Sequence, residues 1–270
     1  MLWVALVVGL IRTVRAARRT NIKPDQVVDI AVYGTLAGII GAHVVSILLD
    51  LSYYLRNPSE ILTLWTGILS PSGGLRGLSF HGALLGAIGV TLLYTRRKGI
   101  RFLEMADLCA PGLALGYAIT RIGCFLNGCC YGIATSLPWA VRFYEDPLSG
   151  TLTPPSHPTQ LYAMAANLLI YIGLVAVDKR RRFTGHVFLS YLVLYSAYRF
   201  LIEFLRNGVT AEVAFAGLTE AQVASLAILV VVLPLLVARL RSLSHEEAAH
   251  PARQRQIHDP QSAIRNRKGG

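Results

Sequence analysis

The chain has 270 residues, 53% of them hydrophobic and only 15% charged, against roughly a quarter charged in an ordinary soluble domain. Its mean hydropathy of +0.49, with the apolar residues gathered in long runs, excludes a disordered chain, a collagen, a coiled coil and a disulfide-rich mini-scaffold. It also turns the reading from a soluble globular enzyme to a membrane protein. The net charge of +11 does not point to nucleic acid, because the basic residues sit in short clusters between apolar runs, as in membrane loops.

A spanning helix needs about 17–25 apolar residues. In chain order the predicted spans are Val27–Leu49, Leu78–Thr95, Leu108–Leu126, Gln160–Val177, His186–Leu205 and Leu218–Ala238. A seventh starts at Met1. Its purely apolar part ends at Ile11, too short to span unless Thr13–Ala17 joins it and Arg12 and Arg15 snorkel. No small-residue cleavage site precedes Arg12, so no signal peptide is read here; whether the natural start lies upstream of Met1 stays open. Ser244–Gly270 is polar and without apolar periodicity, and is expected to be a disordered, basic cytoplasmic tail. The transmembrane catalytic domain is then residues 1–243.

Lys and Arg set the orientation. Arg12–Lys23 carries five, Arg96–Arg101 four, Lys179–Arg182 four and Arg239–Lys268 seven, which is 20 of the 26 on one face. The predicted fold class is therefore an all-α polytopic membrane protein of about seven helices, N-terminus outside and C-terminus in the cytoplasm.

Ionisable residues inside spans are functional candidates by default. On this topology they gather near the outer surface. His43 lies six residues from the outer end of its span, about 9 Å deep at 1.5 Å per residue. His81 lies three residues inside the next span, and Arg121 near the outer end of the one after. His157 and Gln160 sit where the long outer loop re-enters. Tyr195, Arg199 and Glu203 are spaced by four, so they share a helical face, with Arg206 nearby. Arg199 and Glu203 pairing simply to lower their burial cost is the competing reading. Two Arg forks suit a phosphate bidentately, and His suits proton transfer near neutral pH. A phospholipid headgroup at the outer leaflet satisfies both. Trp65 and Trp139, in outer loops, read as interface anchors.

Four stretches carry a resemblance: Ser79–Gly86 (SFHGALLG), Arg121–Gly128 (RIGCFLNG), His157–Tyr162 (HPTQLY) and Tyr195–Arg206 (YSAYRFLIEFLR), with Asp107–Pro111 (DLCAP) beside them. In order and spacing, from about Arg12 to Arg239, they resemble the prolipoprotein diacylglyceryl transferases. The resemblance implies a seven-helix enzyme of the bacterial inner membrane with its active site facing the outer leaflet and periplasm. Such an enzyme moves the diacylglyceryl group of phosphatidylglycerol to the lipobox cysteine of a prolipoprotein, forming a thioether and releasing glycerol phosphate. The implied partners are that lipid, the prolipoprotein and membrane lipids; no cofactor and no metal are implied. By resemblance His81 is the candidate base for the thiol, Arg121 holds phosphate, and Tyr195, Arg199 and Glu203 line the lipid site. Gln160 and Tyr162 match the loop motif, and Asn127 and Gly128 close the arginine motif. His43 stands where the family has Arg. Cys124 stands in place of Asn, Cys129 of an acidic residue and Ala163 of Glu.

Cys124, Cys129 and Cys130 leave several readings open: a disulfide that staples the loop, three free buried thiols, a redox or covalent role, or a metal site with His157. Cys-x4-Cys-Cys is no recognised zinc pattern. Two alternatives to the transferase follow, a non-catalytic lipid- or lipoprotein-binding relative and a membrane thiol–disulfide oxidoreductase using these cysteines.

Overall fold

A computed structural model of the chain describes residues 1–62, 79–146, 150–206, 213–215 and 217–249. Leu78, Trp65 and residues 250–270 of the expected tail lie outside the described residues. Among those described, the chain is mostly helical: α1 (Leu2–Ala17), α2 (Pro24–Leu49), α3 (Leu51–Arg56), α4 (Phe80–Arg97), α5 (Phe102–Leu126), α6 (Thr159–Lys179), α7 (His186–Glu203) and α8 (Glu220–Ala249). Two small antiparallel pairs interrupt them, Tyr144–Asp146 with Thr151–Leu152 and Val213–Phe215 with Leu218–Thr219.

Four of the helices are long and apolar enough to cross a membrane: Pro24–Leu49, Phe102–Leu126, Thr159–Lys179 and Glu220–Ser244. The last buries only 11% of its apolar window within the protein. Val230 and Val231 on it, like Ile40 on α2 and Leu169 on α6, are more than half exposed. Apolar side chains displayed on this scale need lipid rather than water around them. α4 and α7, 18 residues each, carry charged and polar residues that lower their apolar content.

Two element ends differ from the sequence expectation, and the condition set for the first span is met. Thr13–Ala17 does join α1 as helix, and Arg12 donates from Nη1 to the Leu108 carbonyl at 3.1 Å. Leu218 and Thr219 are strand, not helix; Gln222 accepts from the Thr219 N–H at 3.0 Å and caps the start of α8. α8 then continues to Ala249, through residues assigned to the tail. Glu and Ala are strong helix formers, so nothing local stops the helix at the membrane edge.

The chain divides into two compact units, with the boundary between Gly116 and Tyr117 inside α5. In the unit Trp3–Gly116, Ala17, Ile22, Val27, Met105 and Leu108 form an apolar core. α2 and α4 pack along a seam of small residues. A Cβ added to Gly41 would stand 2.5 Å from the Gly82 carbonyl oxygen and 3.2 Å from Gly86 Cα, the close backbone approach that small residues permit between membrane helices. Ser79 caps α4, accepting from the Gly82 N–H at 3.5 Å, and its own N–H reaches the Ala42 carbonyl at 3.0 Å.

In the other unit (Met1–Leu2 and Tyr117–Gly270), α7 packs against α6 and α8. The loop after α5 is tied to helix ends: Gly132 N–H to the His157 carbonyl at 2.9 Å, and Ile133 N–H to the Leu205 carbonyl at 3.0 Å.

Candidate active site

α5 ends in a Schellman turn. Gly128 takes φ +67, its N–H bonds the Phe125 carbonyl at 3.1 Å, and the Cys129 N–H bonds the Cys124 carbonyl at 3.1 Å. Asn127-Gly128 thus terminates the helix that carries Arg121 and folds the chain back over it. Cys130 also has positive φ (63), the one described non-glycine residue that does. Two side chains from the start of α6 hold this turn. Gln160 Nε2 donates to the Cys129 carbonyl at 2.7 Å, and Thr159 Oγ1 to the Cys130 carbonyl at 2.8 Å.

The result is a shallow, tightly packed cleft lined by Arg121, Cys130, Thr159, Ala163, Tyr198, Ile202 and Arg206. Arg121 donates to the Tyr117 hydroxyl one turn earlier, and its guanidinium lies 4.6 Å over that ring. Tyr117 in turn meets Tyr195 edge-on at 5.6 Å. Buried Nε atoms of Arg121 and Arg206 and Oε1 of Glu203 meet no hydrogen-bond partner among the described residues. Two guanidinium groups with unspent donors line this one cleft, and their fork geometry suits a phosphate-like anion.

Arg199 and Glu203 form an ion pair, with the Glu203 side chain fully buried. The cleft is lined by Tyr198 and Ile202 of α7 and by Arg206 just past its end, while Tyr195, Arg199 and Glu203 stand on the helical row beside Tyr198 and Ile202. Tyr195 connects to the cleft through Tyr117. Gln160 is fully buried beneath the turn. Tyr162 accepts from Trp139 Nε1 at 2.6 Å and lies 3.3 Å from His157 Nδ1, so Trp139 braces the loop, and His157 orients Tyr162 from the other side. Asn127 is exposed at the helix end.

Among the thiols, Cys124, Cys129 and Cys130 are all free. Their sulfur atoms lie within 4.8 Å of one another, and the Cys129 thiol also donates to the Cys124 carbonyl at 3.7 Å. Hydrogen bonding from the Cys124 and Cys129 thiols, with Arg121 and Arg206 close by, holds the Cys130 thiol well below its ordinary range, at about 5.

The two histidines belong to the unit Trp3–Gly116. His43 is buried, its Nε2 2.9 Å from the Ile61 carbonyl and its ring edge-on to Tyr54 at 6.3 Å. His81 is exposed at the start of α4, with Phe80 edge-on at 5.9 Å. They follow Ala42 and Ser79 on helices joined at those residues, so they stand at one level of the α2/α4 seam.

Sequence reasoning left Tyr117, Tyr198 and Thr159 out of the candidate set and gave Arg206 no role. Tyr117 and Arg121 are four apart on one helix, and Tyr198, Ile202 and Arg206 repeat by four, so that signal was present in the spacing. Thr159 was not findable this way, because its contact is with a backbone carbonyl 29 residues away.

These features define a mostly helical membrane protein with an arginine-lined cleft at the end of α5. A family model described as prolipoprotein diacylglyceryl transferase matches residues 1–238, and the chain belongs to this family. It is similar to phosphatidylglycerol–prolipoprotein diacylglyceryl transferases of Clostridioides difficile (36% identical over 221 residues, 82% of this chain and 81% of the relative) and of Nitratidesulfovibrio vulgaris strain DP4 (37% over 216 residues, 78% and 77%). A third, from Geobacter sulfurreducens, is 36% identical over 200 residues, 73% of this chain and 72% of the relative.

Proposed function

We propose that the chain transfers the diacylglyceryl group of phosphatidylglycerol to the lipobox cysteine of a prolipoprotein. The cysteine sulfur attacks the glycerol C3 carbon, the C–O bond to phosphate breaks, and glycerol phosphate leaves. The observation that carries this reading is the pair Arg121 and Arg206 lining one cleft with Tyr198 and Thr159. Guanidinium groups fixed there stabilise the charge that develops on the leaving phosphate. Two substrates held in one membrane supply proximity. His81 is assigned the thiol proton and Arg199 a place in the catalytic set, with Tyr195, Glu203, Asn127, Gly128, Gln160, Tyr162 and His43 around the substrates. The relatives' names do not favour a non-catalytic binder or a thiol–disulfide oxidoreductase.

In this reading seven helices cross the bacterial inner membrane: α1, α2 and α4–α8. The N-terminus and the 127–158 loop face the periplasm, and the basic segments and the tail from about residue 244 face the cytoplasm. The charge asymmetry supports it, since 20 of the 26 Lys and Arg fall on the segments assigned inside. Reporter fusions after Lys98, within 135–140 and at the C-terminus test the orientation; a cytoplasmic signal from the 135–140 fusion overturns it.

The chemistry is tested by incubating the detergent-purified protein with phosphatidylglycerol and a lipobox peptide and weighing the peptide. A diacylglyceryl adduct that disappears in Arg121→Ala supports the assignment. Lipid binding without adduct from wild-type protein refutes it for that acceptor.

A further inference from the structure

The proposed transfer step assigns no role to the three-thiol cluster at the end of α5, yet the fold goes to some length to build it. The Schellman turn at Gly128 brings the Cys129 backbone onto Cys124. The left-handed backbone of Cys130, uncommon away from glycine, turns the next residue back as well. Gln160 and Thr159 then fix the carbonyls of Cys129 and Cys130 from a second helix. The outcome is three sulfur atoms within 4.8 Å of one another.

We propose that Cys124, Cys129 and Cys130 form a binding site for a closed-shell thiophilic cation, with Zn2+ as the reference ion. Thiolate sulfurs at about 2.3 Å from tetrahedral Zn2+ stand about 3.8 Å apart, so the cluster needs to contract by about 1 Å at most. Soft sulfur donors select Zn2+ or Cu+ over the hard cations that oxygen ligands hold. The electrostatics suit an anionic complex. Three thiolates around Zn2+ leave a net charge of −1, and Arg121 and Arg206 line the same cleft as Cys130. Gln160 and Thr159 act as outer supports that hold the ligands through their backbone. Three protein ligands leave one coordination position for water. A disulfide would use two of the three sulfurs and leave the third unexplained. The linear spacing matches no zinc pattern because two ligands come from a helix-ending reversal rather than a finger-like knuckle.

The full-length protein, purified in detergent, reduced and desalted without oxygen, is titrated with Co2+ and then Zn2+. The expected result is a thiolate-to-cobalt charge-transfer band at one Co2+ per chain that Zn2+ displaces. Competition against a chromophoric chelator then measures affinity. Outer-support changes alone cost metal sites about 10–100-fold, so Cys124→Ser, Cys129→Ser and Cys130→Ser are each expected to lose at least that, while Cys109→Ser, outside the cluster, retains wild-type affinity. A Cu+ arm against a cuprous chelator supports the site equally and assigns the softer ion if Cu+ is preferred. A reduced wild-type protein that gives no band and binds Zn2+ no better than the triple serine variant overturns the proposal. This wild-type readout stands even if a variant fails to fold.

Discussion

Arg121 bonds the Tyr117 hydroxyl one turn earlier on α5 while its guanidinium lies 4.6 Å above the same ring. The tyrosine thus holds the cation twice, by a charge-assisted hydrogen bond and by the ring face. It leaves Nε free in a cleft where phosphate is proposed to sit. Tyr117→Phe keeps the ring and loses the bond. A hydrogen bond to a charged group is worth roughly 1.5–3 kcal/mol, so kcat/KM for transfer is expected to fall by roughly tenfold or more. Tyr117→Leu, which also loses the ring, falls further. Equal activity in both variants would show that the tyrosine does not position Arg121.

The Arg199–Glu203 pair separates stability from chemistry. Its carboxylate side chain is fully buried, and removing one partner of a buried pair costs about 3–5 kcal/mol. Arg199→Met is therefore expected to lower the thermal midpoint in detergent sharply. The double variant Arg199→Met/Glu203→Leu is expected to recover most of that stability but not the transfer activity. Recovery of both would reduce the pair to a structural role.

On α2, two glycines make opposite predictions. A Cβ at Gly41 collides with the Gly82 carbonyl, whereas one at Gly34 meets nothing within 4 Å. Gly41→Ala is expected to destabilise by about 1–3 kcal/mol through overpacking. Gly34→Ala is expected to be neutral or to stabilise by up to about 1 kcal/mol through helix propensity. Thermal unfolding of the two variants side by side decides it, and equal midpoints would contradict the close α2/α4 seam.

Gly128 is the left-handed residue that ends α5. Gly128→Ala places a Cβ in that conformation, at a cost of about 1 kcal/mol or more. Loosening the turn is expected to speed maleimide labelling of Cys129 relative to Cys109. Unchanged relative rates would show that the turn does not depend on this glycine.

Much of this was legible from residue spacing. Apolar runs located the long described helices, because a membrane helix writes its apolar stretch into the sequence; α6 and α7 begin within a residue of the expected positions, while α5 starts at Phe102 rather than Leu108 and α8 runs past Ala238. Ends defined by capping were less visible. Thr219 and Gln222 make a start signal only once Leu218 is seen to be strand. Spacing by four groups Tyr195, Arg199 and Glu203, and equally Tyr198, Ile202 and Arg206, and only the tertiary structure shows that the second set lines a cleft with Arg121 while Tyr195 meets Tyr117. The three cysteines were singled out by their spacing, but which of their open readings holds was beyond reach, since the free three-sulfur arrangement depends on left-handed backbone at Gly128 and Cys130.

The most direct test of the lipid transferase reading is stoichiometric. With phosphatidylglycerol and a lipobox peptide, thioether product and free glycerol phosphate are measured from one reaction, for wild type, Arg121→Ala and Arg206→Ala. The account predicts equal amounts of both products from wild type and a parallel loss of both in each arginine variant. Glycerol phosphate released without thioether, or thioether formation indifferent to both arginines, would contradict it.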